Sequence, residues 1–138
     1  MDLPLYFLTF LVSFLFYLAV DLIWLRYVAG PFYRRELSTL LSEEPRMLPA
    51  LLFYVLFVFG NILLVVEPAL FRDSLRMLLF RGGFYGLVCY ATYDLTNLAT
   101  LDKWTIKVSL VDMTWGVCIS MAISLVGFYF ATTAPSLL

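Results

Sequence analysis

Four long apolar stretches, separated by short polar segments, leave this chain few ways to fold. They run from about Leu3 to Leu25, Met47 to Val66, Leu75 to Leu98 and Thr105 to Thr132. A helix needs about 20 mainly apolar residues to cross a bilayer, and each stretch meets that length. Inside hydrocarbon the backbone must satisfy its own hydrogen bonds, so segments of this kind become helices. Composition agrees: 63% of the 138 residues are hydrophobic and 14% are charged, against about 25% charged in a soluble domain. The expected fold is an all-α integral membrane protein, a single transmembrane domain over residues 1–138, with four transmembrane helices in a bundle. Met1-Asp2 offers no basic leader region and no small-residue cleavage pattern follows, so the first stretch is expected to serve as the first span.

The loops are short, as in a helical bundle. The first, Arg26 to Arg46, is the longest, and its middle starts at Pro31 and mixes charge with apolar residues to Leu41. It reads as a short helix lying in the membrane interface. Loops one and three hold Arg26, Arg34, Arg35, Arg46, Lys103 and Lys107; the termini and loop two hold Arg72, Arg76 and Arg81. That excess of positive charge places loops one and three inside and both termini on the non-cytoplasmic side.

Several functions are excluded early. The net charge is −1, which offers no basic surface for nucleic acid. The chain has no histidine, which removes the commonest metal ligand and neutral-pH base. Cys89 and Cys118 lie apart in apolar stretches and read as small buried hydrophobes. No metal site and no cofactor is expected.

Within the spans stand three aspartates, Asp21, Asp94 and Asp112. A charged residue at a helix centre costs at least about 2.5–3.5 kcal/mol on insertion scales. Helices one and three run inward and helix four outward, so all three carboxyls fall at similar depth near the cytoplasmic side. The second helix enters that layer with Pro49, Phe53 and Tyr54. On the third, Gly86, Tyr90, Tyr93 and Asn97 recur at spacings of four, three and four, one stripe with Asp94 at its edge. Asp-x-x-Trp occurs twice, as Asp21/Trp24 and Asp112/Trp115. The candidate ligand or proton site is therefore Asp21, Asp94, Asp112, Asn97, Tyr90, Tyr93, Trp24 and Trp115. Gly82 and Gly86 form a GxxxG pair, a close-approach face that a second copy of the chain could use.

These blocks resemble a family of small bacterial membrane proteins, domain of unknown function 2177. The matching elements are Asp21-Leu-Ile-Trp24-Leu25, Pro49-Ala50 with Phe53-Tyr54, Pro68-Ala69, the run from Gly82 through Tyr93-Asp94-Leu95-Thr96-Asn97 to Thr100, and Asp112-x-x-Trp115-Gly116. The resemblance implies a four-helix inner-membrane protein and supplies no activity, substrate or cofactor.

Three functions remain open on the residues. The first is a proton- or cation-coupled carrier of a small solute, because carboxyls in low dielectric can exchange a proton for a positive ligand. The second is a membrane enzyme acting on an inner-leaflet lipid, with an aspartate as general acid or base. The third is a non-catalytic accessory subunit of a membrane complex, in which the same polar residues hydrogen-bond between helices at about 0.6 kcal/mol per contact.

Overall fold

A computed structural model describes residues 1–42 and 44–134. Helix α1 spans Leu3–Trp24 and passes through a π-helical turn, Leu25–Ala29, into α2, Gly30–Glu36. Helix α3, Met47–Asn61, passes through a second π-helical turn, Ile62–Val66, into α4, Glu67–Phe71. Helices α5, Leu75–Thr100, and α6, Ile106–Thr133, complete the described chain. No strand occurs among the described residues.

Side-chain caps start α1, α5 and α6. Asp2 accepts from Leu5 N at 3.0 Å, Ser74 from Met77 N at 3.3 Å and Thr105 from Val108 N at 3.2 Å, each satisfying a donor that the first turn leaves without a partner. Asp73, at φ 45°, makes the reversal between α4 and α5. The two π-helical turns each end two residues before a proline, Pro31 and Pro68. Proline lacks an N–H and its ring clashes with the carbonyl four residues back; a widened turn moves that carbonyl aside. Arg81 Nη1 reaches the Leu64 carbonyl of the second widened turn at 3.2 Å.

The segment after Pro31 is thus not a separate helix lying in a loop. It continues the first helix, so that Leu3–Glu36 is one helical run of 34 residues. Three helical runs are long and apolar enough to cross a membrane: Leu3–Glu36, Met47–Phe71 and Ile106–Thr133. Helix α5 is long enough but less apolar, because Arg76, Arg81, Asp94 and Asn97 interrupt it.

On α1 polarity is arranged inside out. The buried residues of α1 are Thr9, Ser13, Tyr17 and Asp21, four apart on one face, while Leu3, Phe7, Leu11, Leu15 and Leu22 face outward. A water-soluble helix has the reverse pattern; here hydrocarbon is the outer solvent. The cysteines follow the same rule: Cys89 is half-buried and Cys118 exposed, so neither is the buried hydrophobe that a water-soluble core would make of it. Helices α5 and α6 meet most closely. A Cβ on Gly86 would strike the Gly116 carbonyl and come within 2.6 Å of Ser120 Cβ, and one on Gly82 would come within 2.8 Å of Ser124 Oγ. The glycine face that the sequence offers to a second copy is covered by α6 of the same chain. Beside it Asn61 of α3 donates to Ser120 Oγ at 3.2 Å and to Ser124 Oγ at 2.9 Å, joining α3 to α6 through buried polar groups.

Candidate functional site

The three aspartates come together at the end of the bundle where α1 runs into α2. Asp21 is buried and both its oxygens are occupied: Trp115 Nε1 donates to Oδ1 at 2.9 Å, and the Tyr54 hydroxyl donates to Oδ2. Asp112 accepts from the Tyr33 hydroxyl through Oδ1. Asp94 is 0% exposed. Its carboxyl faces that of Asp112 closely enough for the two to share a proton, and no other described group donates to either of its oxygens. No described lysine or arginine pairs with any of the three; the ion pairs among the described residues are Arg35–Glu36 and Lys107–Glu36, both 3.4 Å.

Aromatic groups enclose this layer. Trp24 and Trp115 stack with ring centroids 4.2 Å apart and planes 3° from parallel, which fixes the indole that serves Asp21. Tyr17 and Tyr90 share a hydrogen bond of 2.9 Å between α1 and α5. Tyr90 is half-buried, whereas Tyr93 is 58% exposed and meets Trp104 edge-on at 5.6 Å. Asn97 is half-buried on the same side of α5 and lies next to the Tyr93 hydroxyl. All eight residues singled out in the sequence lie in or at the edge of this region. Tyr93 and Asn97 belong to its rim rather than to the group that hydrogen-bonds the carboxyls.

Beside the layer lies a cavity of about 490 Å³, lined by Phe53, Cys89, Tyr90, Thr92, Tyr93 and Asp112. Small-molecule sites span about 300–1,000 Å³. Phe53, Thr92 and Tyr93 are exposed, so the cavity opens sideways between α3 and α5. Its walls are largely aromatic, and the Asp112 carboxyl forms its polar end.

Three contributors lie outside the set that the sequence singles out. Tyr54 is legible as a member of the layer but not as a donor to Asp21. Tyr17 precedes Asp21 by four residues, a helical spacing that signals a shared face. Tyr33 has no such signal, because its position depends on the widened turn that carries α2 over Asp112. The Lys107–Glu36 pair then ties α2 to α6.

The fold and this region define a helical membrane protein with an acidic cluster enclosed by aromatic side chains between its helices. The chain belongs to the DUF2177 family of predicted membrane proteins, whose family model matches residues 6–129. Comparison with curated proteins and with solved structures returns no match.

Proposed function

We propose that the protein is a proton-coupled carrier of a small, apolar cation, such as a protonated amine, and that Asp94 and Asp112 are the exchanging groups. One observation carries this reading: a fully buried Asp94 carboxyl, with only the Asp112 carboxyl as a hydrogen-bond partner among the described residues, lies at the end of an aromatic cleft. Two carboxylates side by side in a low dielectric cannot both stay charged. They need a proton or a positive ligand between them, and one can replace the other. Phe53, Tyr90 and Tyr93 suit the apolar body of such a cation, and ring faces attract positive charge by about 0.5–2 kcal/mol each. Asp21, with both oxygens occupied, acts in this reading as a positioning residue that holds Tyr54 and Trp115.

On this reading α5 is the fourth span of a four-helix bundle in the bacterial inner membrane, with both termini on the non-cytoplasmic side. The sideways opening of the cleft also favours a second reading, an enzyme acting on an inner-leaflet lipid, because a lipid would enter by that route. The absence of an activated nucleophile among the lining residues ranks it second.

The test is transport in proteoliposomes carrying a pH gradient and an internal pH-sensitive dye. Addition of a hydrophobic quaternary ammonium ion should collapse the gradient in the presence of the wild-type protein. Asp94→Asn, which keeps shape but loses the exchangeable proton, should abolish the response while inserting normally. A fully active Asp94→Asn protein would remove Asp94 from the mechanism, and a wild type that gives no response would favour the accessory-subunit role.

A further inference from the structure

We infer that the groove formed by Leu22, Leu25, Arg26, Tyr27 and Arg34 is a binding site for the phosphate headgroup of an anionic phospholipid, separate from the acidic cleft. The groove encloses about 760 Å³ and carries two guanidinium groups above an apolar floor. Neither Arg26 nor Arg34 makes an ion pair among the described residues, although Arg35, next in the chain, pairs with Glu36.

The widened turn explains why these two arginines meet. Residues eight apart in a regular α-helix, at about 100° per residue, point about 80° away from each other. Each residue of a π-helical turn rotates less, and the five from Leu25 to Ala29 take up most of that offset. Arg26 and Arg34 are therefore brought to one face. Gly30, between them, is required by the widened turn, because a Cβ there would strike the Leu25 carbonyl oxygen; the Arg34 side chain lies back along the helix, with Nη2 3.7 Å from that Cβ position, an ordinary contact. Arg26 lies over the Tyr27 ring at 5.9 Å, which steadies its position.

Chemistry selects the occupant. Guanidinium forks match phosphate oxygens in a bidentate manner. Leu22 is 60% and Tyr27 72% exposed, so the floor offers an acyl chain an apolar path down α1 from the headgroup. A soluble phosphate would use the arginines and leave that floor unused. A zwitterionic lipid carries a cationic group that two unpaired arginines repel. The occupant that fits both halves of the groove is a lipid with net negative charge.

The experiment is native mass spectrometry of the purified full chain after equilibration with equal amounts of phosphatidylglycerol and phosphatidylcholine. The wild type should retain phosphatidylglycerol preferentially. The Arg26→Gln/Arg34→Gln double variant should lose that preference by about thirtyfold, as expected for two basic contacts near a lipid surface, whereas Arg72→Gln/Arg76→Gln at the other end should not. Arg34→Lys, which keeps the charge but not the fork, should fall between wild type and the double variant. Equal retention of both lipids by the wild type would overturn the proposal, and this outcome needs no variant to fold. Unchanged preference in the double variant would overturn it as well. Displacement of the lipid by millimolar inorganic phosphate would show a site for free phosphate, which is also contrary to the proposal. None of these outcomes depends on carrier activity.

Discussion

At the scale of single residues, the three aspartates differ in what surrounds them. Asp21 has a donor on each oxygen, Asp112 has the Tyr33 hydroxyl, and Asp94 has only the facing Asp112 carboxyl among the described residues. A buried carboxyl with full support holds structure; one without support needs a proton or a ligand. Tyr54→Phe tests the first half of that statement. It removes one donor to Asp21 and leaves a buried oxygen bare, at a cost of about 1–3 kcal/mol. Thermal unfolding in detergent should show a lower midpoint with transport largely retained. A Tyr54→Phe protein as stable as the wild type would show that this hydrogen bond does not hold Asp21. The layer itself was legible in the sequence, since opposed helix directions and similar depths bring Asp21, Asp94 and Asp112 together. Their unequal partners were not legible, because Tyr33 and Tyr54 come from other elements, and donor geometry depends on how those elements cross.

At the scale of elements, prolines and small residues shape the bundle. Pro31 reads in the sequence as the start of an interfacial helix; instead the helix widens before it and continues to Glu36. Proline marks a disturbance of the helix, but a widened turn and a chain break carry the same residue signal. Gly82 and Gly86 read as a contact for a second copy, yet α6 presents Gly116, Ser120 and Ser124 to them. The spacing of four on α6 matches the GxxxG spacing on α5, a complementarity visible in the sequence once the two helices are paired. Gly86→Val would force the α5 and α6 backbones apart at the Gly116 carbonyl. Overpacking of this kind costs about 1–3 kcal/mol, and the variant should unfold at lower temperature or lower sodium dodecyl sulfate content than the wild type. Unchanged stability would mean that α5 and α6 are not in such close contact.

At the scale of the whole molecule, α1 buries a polar face against an otherwise apolar core, and many large apolar side chains face outward, as a lipid-facing surface requires. Helix α5 can hold its proposed place in the membrane because α6 covers its glycine face and Asp94. Accessibility of single cysteines to a membrane-impermeant maleimide in intact cells checks this, in a background with Cys89→Ser and Cys118→Ser. Asp73→Cys and Lys103→Cys flank α5 and should label from opposite sides, with Asp73→Cys reactive from outside. Labelling of both from the same side would exclude α5 as a span.

Carrier function of the kind proposed requires exchange of a proton for a cation at the Asp94–Asp112 pair, and proton release on binding measures that directly. Purified protein in weakly buffered detergent solution is titrated with a hydrophobic quaternary ammonium ion while a pH indicator is followed. The expected result is acidification that saturates together with binding, and its loss in Asp94→Asn. Saturable binding of the cation with no proton released would contradict the central claim.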